Sequence, residues 1–147
     1  MTDTDGQERV RTLVFWAIGA LLTVVGLGLF FVIRDNSARL GALEDAGKAF
    51  LKALASGEGN DACSRMTRIA QSELAAGQGE DSCPQAVEAL IAPLSDAERN
   101  RLAVSYRSRF WGRGDSFGHV GVRDNPLDIT ELLLSEIDGK WRVAEMK

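Results

Sequence analysis

One uninterrupted apolar run, Leu13–Ile33, limits what this chain can fold into more than any other feature. The run spans 21 residues and contains no charged side chain, Asn, Gln, His or Pro. Because a helix rises about 1.5 Å per residue, a run of this length matches the roughly 30 Å hydrocarbon core of a bilayer. A buried helix of a globular domain is the alternative, but such helices rarely stay apolar on every face. The run therefore predicts a transmembrane helix over 13–33.

The flanks of the apolar run indicate an uncleaved signal anchor. Residues 1–12 form a short polar tail that carries Arg9 and Arg11. The run is longer than the apolar region of a signal peptide, and Phe30–Arg34 is a poor cleavage site. Basic residues on the two sides are nearly balanced, so charge alone does not set the orientation. A short tail before a first span usually stays inside, which favours a cytoplasmic N-terminus and an extracytoplasmic C-terminal domain.

The two cysteines, Cys63 and Cys83, both follow the apolar run. If they form a disulfide, their compartment is oxidising, which again places the domain outside the cytoplasm. The alternative is a pair of buried thiols. Since the sequence has no CxxC motif and no cysteine–histidine cluster, we expect no metal site and no cofactor. The formal net charge of −4 argues against general binding of nucleic acid, which requires a basic excess.

After a juxtamembrane linker or stalk at 34–41, residues 42–147 are long enough for one small domain with a single core. Apolar spacings of three and four predict helices in its first half, and a change of period to two predicts strands in its second half. The helices are expected from Leu40 to Gly57, from Asn60 or Asp61 to Leu74, from Ser82 to Pro93 and from Ser95 to Leu102, with a flexible loop at 75–81 between the second and the third. The strands are expected at Val104–Trp111, Phe117–Val122, Leu127–Ile137 and Lys140–Met146, with an Asp138-Gly139 turn before the last one.

This order of elements predicts an α+β fold. We expect helices packed on one face of a curved, mostly antiparallel sheet of about four strands, because a meander with one buried and one wet face suits the alternating pattern.

Both ends of the domain carry segments that resemble a known superfamily. The opening segment AGKAFLKALASGEGNDACSRM and the closing segment LLLSEIDGKWRV are similar to those of the nuclear transport factor two-like superfamily, especially its small membrane-anchored or lipoprotein members from bacteria. The resemblance covers residues 40–147 and implies a conical fold with a pocket between helices and sheet. It also fits a Cys63–Cys83 disulfide. Because members include enzymes, ligand binders and scaffolds, the resemblance implies a fold and leaves the function open.

Six residues are candidates for a binding site: Tyr106, Arg107, Arg109, Trp111, His119 and Asp128. Arg107, Arg109 and Trp111 share one face of a predicted strand, and arginine with tryptophan suits a protein partner or an anionic polymer of the cell envelope. The alternative is a solvated sheet face whose arginines pair with carboxylates across strands.

Tyr106, His119 and Asp128 are each expected on a strand, and in a common pocket they would resemble an acid–base site. Any sheet presents such residues, however, and a histidine on a strand is more often structural. We therefore predict no catalytic residue. The sequence favours a single-pass envelope protein whose extracytoplasmic domain binds a protein partner or a small ligand without catalysis. The alternatives are an accessory subunit of an envelope transport or secretion complex, and a small enzyme that uses these three residues.

Overall fold

The computed structural model describes residues 37–107 and 116–147 of the 147-residue chain. The transmembrane helix expected at 13–33 and the candidates Arg109 and Trp111 lie outside these residues. No helix within the described ranges is both long and apolar enough to cross a membrane. The chain divides into two compact units, Met1–Arg39 and Leu40–Lys147, and the structure of the second unit follows.

The described part of the chain contains five helices and a four-stranded antiparallel sheet. The helices are α1 (37–56), α2 (Gly59–Ser64), α3 (Arg68–Gln78), α4 (Cys83–Ile91) and α5 (Asp96–Ala103). The strands are β1 (Tyr106–Arg107), β2 (Phe117–Val122), β3 (Glu131–Ile137) and β4 (Lys140–Met146), in the order β1-β2-β3-β4. The predicted α+β class with about four antiparallel strands is therefore confirmed.

Several element ends follow local sequence signals. Gly57 takes φ 73° directly after α1, a left-handed conformation that glycine adopts without steric cost. Ser95 and Glu98 form a capping box at the start of α5. The turn between β3 and β4 has φ 52° at Asp138 and 71° at Gly139, as a tight hairpin requires. These ends lie where the sequence predicted them.

The helix predicted to run from Asn60 or Asp61 to Leu74 is instead two helices, α2 and α3. Helix α3 continues to Gln78, so the loop predicted from Ala75 begins too early. The segment Arg65–Thr67 between them leaves the helical path because it pairs with strand β4. The N–H of Thr67 donates to the carbonyl of Val143, and the N–H of Val143 donates to the carbonyl of Arg65, each at 2.8 Å. This pairing covers part of the outer edge of β4, which would otherwise present unpaired backbone groups.

Strand β3 begins at Glu131, four residues later than predicted. Asn125 holds the preceding segment in a loop, since its side-chain oxygen accepts hydrogen bonds from the N–H groups of Leu127 and Ile129, both at 3.1 Å. Its amide donates to the carbonyl of Ile129 at 2.6 Å. The asparagine thus uses backbone groups that a strand would have paired with its neighbour.

The core lies between the helices and one face of the sheet. Alternate residues of β2, β3 and β4 are buried on this face, namely Val120, Val122, Leu132, Leu134 and Val143. Helix α1 packs directly on β2, because a Cβ at Gly47 would lie 3.0 Å from a methyl carbon of Val120. Phe50 and Leu54 of the same helix are fully buried. The space between α1 and the sheet is thus filled by side chains.

A disulfide joins Cys63 of α2 to Cys83 of α4, with the two Cα atoms 6.1 Å apart. The helices also approach closely at Gly59, where an added Cβ would lie 2.7 Å from the carbonyl oxygen of Pro84. The disulfide holds α2 against the start of α4, and the absence of a side chain at Gly59 allows the two helices to approach this closely.

Candidate functional site

Tyr106 lies on the helix-facing side of the sheet. It pairs with Val122, and directly opposed residues of an antiparallel pair share one face. The ammonium group of Lys48, on α1, lies 4.5 Å from the centre of the Tyr106 ring. Lys48 also forms an ion pair with Glu44, one turn earlier on the same helix. The ring is therefore part of the contact between α1 and the first strand.

The hydroxyl group of Tyr106 is buried and has no hydrogen-bond partner in the described part of the chain. Burial raises the pKa of Tyr106 well above its usual value, and the neighbouring Glu44 carboxylate, which does not reach hydrogen-bonding geometry, raises it further. The pKa of Glu44 is lowered, chiefly because Lys48 donates to its carboxylate. Tyr106 therefore stays protonated near neutral pH and can donate a hydrogen bond but cannot act as a base.

His119 lies on the opposite face of the sheet from Tyr106. Its Nδ1 is 2.9 Å from a carboxylate oxygen of Glu131, and both side chains are partly buried. The register explains the contact: Glu131 pairs with Gly121, and Gly121 shares a face with His119 because it lies two residues further along β2. This contact fixes the imidazole against the sheet.

The structure does not bring Tyr106, His119 and Asp128 together in one pocket. Tyr106 and His119 face opposite sides of the sheet. Asp128 is exposed in the loop before β3, with φ 53°, so the prediction that it lies on a strand is wrong. The reason is the loop closed by Asn125, which occupies the residues expected to begin the strand.

Arg107 is exposed on β1 and lies opposite Gly121. It therefore shares the face that carries His119 and Glu131. Its predicted companions, Arg109 and Trp111, lie outside the described residues. A face with Arg107, His119 and Glu131 has charges of both signs, which is also what a solvated outer sheet face would carry.

A different surface combines exposed basic and apolar side chains. We name it the corner surface and define it as residues 64–71, between and within α2 and α3, together with the hairpin residues 137–142. The backbone pairing between Arg65–Thr67 and Val143 brings these two segments together. A cleft of about 640 Å³ lies between them. Its lining includes Met66, Arg68, Ile69, Ile137, Asp138 and Arg142. A second cleft, of about 630 Å³, is also lined by Arg142 and extends to Arg65 and Lys140.

The basic side chains of the corner surface are largely uncompensated. Arg65 pairs with Asp61 at 3.1 Å. Within the described ranges, Arg68, Lys140 and Arg142 form no ion pair, although Arg142 donates a hydrogen bond to the carbonyl of Ser64. Asp138 is the one carboxylate in the two segments. The surface is thus locally positive on a chain whose net charge is −4.

Two isoleucines on the corner surface are unusually open to solvent. Ile69 is 69% exposed and Ile137 is 40% exposed, and both line the first cleft. A single exposed aliphatic side chain is ordinary on a protein surface, but two beside one cleft form an apolar contact area. Uncompensated guanidinium groups and apolar side chains at a concave surface are features of interaction sites.

Sequence reasoning did not find the corner surface. Its two segments are separated by about 70 residues in the chain, and the parts of them that resemble the superfamily mark packing and a turn, not a binding site. Ile69 is the one residue that could have indicated this surface. It faces solvent only because the predicted helix is divided at Thr67. That division depends on a tertiary contact with Val143, so residue spacing could not reveal it.

No protein-family model matches this chain, and searches of curated proteins and of solved structures also find no match. Function must therefore be derived from the chemistry of the surfaces themselves.

Proposed function

We propose that this chain is a single-pass envelope protein, anchored by a helix over 13–33, whose C-terminal domain lies outside the cytoplasm and binds a protein partner without catalysis. Within the α+β class, the proposed fold is the conical fold of the nuclear transport factor two-like superfamily, with helices on one face of a curved sheet. The order of elements, helices first and then the meander β1 to β4, supports that assignment. An accessory subunit of an envelope transport or secretion complex would be one form of such a binding protein.

The corner surface is the observation that carries this proposal. It combines three uncompensated basic side chains with two exposed isoleucines around two clefts that share Arg142, on backbone that is fixed by pairing to β4. A rigid surface of this kind needs little ordering when a partner binds, so less of the interaction free energy is lost.

The interior of the domain favours a protein partner over a small ligand between helices and sheet. The side chains of Phe50, Leu54, Leu132 and Leu134 are fully buried there. A ligand in that position would have to displace them, at a cost similar to that of opening a cavity.

The Cys63–Cys83 disulfide supports the extracytoplasmic placement, because structural disulfides persist in oxidising compartments. The positions of the acid–base candidates support a non-catalytic role: Tyr106 is held protonated on one face of the sheet, and His119 lies on the other. A mechanism that needs both groups at one substrate has no support from this geometry.

Photo-crosslinking in intact membranes tests the proposed function. A benzophenone amino acid is placed, one position at a time, at the exposed residues Ile69, Phe117 and Val104 of the full chain. We expect at least one position to give a discrete adduct with another envelope protein. A protein that gives no adduct at any of these positions would contradict the proposed binding function.

A further inference from the structure

We propose that the corner surface binds an acidic segment of a protein partner, with Arg68, Lys140 and Arg142 contacting its carboxylates and Ile69 and Ile137 contacting its apolar side chains. This inference rests on the proposed binding function and adds the chemistry of the partner.

Charge complementarity selects the occupant. The three basic groups lie on a domain with an acidic balance overall, so the corner surface differs in sign from the rest of the chain. An acidic segment would be attracted to this surface and repelled by the rest of the domain, which improves both the rate and the specificity of association. A basic segment would be repelled by this surface and attracted to the rest of the domain.

The shape of the surface favours a chain segment over a flat membrane surface. The cleft lined by Ile69 and Ile137 is concave, and its volume of about 640 Å³ lies within the range of sites that enclose several side-chain-sized groups. A planar layer of lipid headgroups would contact the rims of such a cleft, but its charges would not reach the cleft interior. Protein side chains can enter it.

The backbone that carries the three basic residues is held in position by several contacts. Arg142 spans the two segments, because it lies on β4 and donates to the carbonyl of Ser64 at the end of α2. Thr67 accepts a hydrogen bond from the N–H of Ala70 and so begins α3 directly beside the cleft. Behind them, the disulfide at Cys63 fixes α2 to α4. The side chains of Arg68 and Lys140 make no such structural contact in the described residues, so they are suitable positions for substitution.

The first test measures binding of a defined probe by the full chain in nanodiscs of zwitterionic lipid. The probe is a short fluorescein-labelled peptide in which Glu and Leu alternate, and the comparison peptide has Lys in place of every Glu. We expect the acidic peptide to bind more tightly, and the double substitution Arg68→Glu/Lys140→Glu to weaken its binding roughly tenfold. The matched control Lys52→Glu/Arg123→Glu changes the net charge equally at two exposed residues outside the surface and should leave binding unchanged.

Further measurements test the contribution of the apolar side chains and the alternative that the surface binds lipid headgroups. Ile69→Ser should weaken the acidic peptide, whereas Val104→Ser, at a residue that is 77% exposed elsewhere, should not. Vesicles containing phosphatidylglycerol are tested with the same variants. Equal binding of the two peptides, or binding that Arg68→Glu/Lys140→Glu leaves unchanged, would overturn the proposal. It would also be overturned if the vesicles bind through Arg68 and Lys140 while the acidic peptide does not.

The crosslinking positions distinguish failure of this inference from failure of the proposed function. Adducts at Val104 or Phe117 without any at Ile69 would leave the binding function intact and exclude the corner surface. An adduct at Ile69 supports the inference only if the crosslinked partner segment is acidic and the adduct is lost in Arg68→Glu/Lys140→Glu.

Discussion

Tyr106 offers a direct measurement on a single residue, because it is the only tyrosine of the chain. Burial and the Glu44 carboxylate both raise the pKa of Tyr106 above its ordinary value of 10.0. We therefore expect tyrosinate absorbance in the native protein to appear well above pH 10, and in guanidinium chloride near pH 10. Glu44→Gln should lower the native midpoint in part, since burial is the larger cause. A native midpoint near pH 10 would show that the hydroxyl is open to solvent.

The same shift predicts how stability depends on pH. Above its unfolded pKa, Tyr106 ionises in the unfolded chain while the folded chain retains the proton, so the free energy of unfolding falls as the pH rises beyond about 10. Below that pH the contribution is fully present. Tyr106→Phe removes this component, and its unfolding free energy should therefore decline less steeply in alkaline solution than that of the wild type. Parallel denaturant titrations at a series of alkaline pH values provide the measurement.

A substitution that adds a Cβ atom at Gly59 tests the close approach of α2 and α4. Gly59→Ala would place that atom 2.7 Å from the Pro84 carbonyl oxygen, and we expect a loss of about 1–3 kcal/mol in the free energy of unfolding. Gly77→Ala is the matched control, since nothing lies within 4 Å of the added atom. It should stabilise helix α3 by about 0.5–1 kcal/mol. Denaturant unfolding of both variants measures the difference, and equal effects would contradict the packing at Gly59.

At the scale of elements, the Cys63–Cys83 disulfide joins α2 and α4 across a sequence separation of 20 residues. In the chain-entropy model, closing a loop of this length stabilises the fold by about 3 kcal/mol. We expect Cys63→Ala/Cys83→Ala to lose about that amount in denaturant unfolding. Reduction of the wild type should have a similar effect, and reductant should not affect the double variant further. Unchanged stability in both cases would show that the crosslink does not constrain the unfolded chain.

Elements whose ends depend on neighbouring residues could be predicted from the sequence. The Gly57 stop, the Ser95 capping box and the Asp138-Gly139 turn each act within a few residues, and strand β2 has the predicted bounds Phe117–Val122. The division between α2 and α3 could not be predicted, because it depends on hydrogen bonds between Arg65–Thr67 and a strand far along the chain.

In the candidate site, too, features that depend on distant parts of the chain could not be predicted from the sequence. Residue spacing placed Tyr106 and His119 on strands, but their faces depend on the register with neighbouring strands. Asp128 was misplaced because the side chain of Asn125 closes a loop there. The corner surface requires the positions of two distant segments, so it became visible only in the folded domain.

At the scale of the whole molecule, the chain combines an anchor proposed from the sequence with a domain whose surface is described by the structure. The proposed anchor would determine which partners the corner surface can meet, since a domain held at a membrane has a high effective concentration toward other envelope proteins. The proposed function therefore depends first on the orientation of the chain in the membrane. If the domain lay in the cytoplasm, the disulfide would not be expected to persist, and the domain would not meet the proposed envelope partner.

Site-directed labelling in spheroplasts tests this orientation most directly. In the Cys63→Ala/Cys83→Ala background, Gln78→Cys places a thiol on an exposed residue of the domain, and Asp5→Cys places one in the N-terminal tail. We predict that a membrane-impermeant maleimide labels Gln78→Cys in sealed spheroplasts and labels Asp5→Cys only after permeabilisation. Labelling of Asp5→Cys alone in sealed spheroplasts, or release of the protein from washed membranes, would contradict the account.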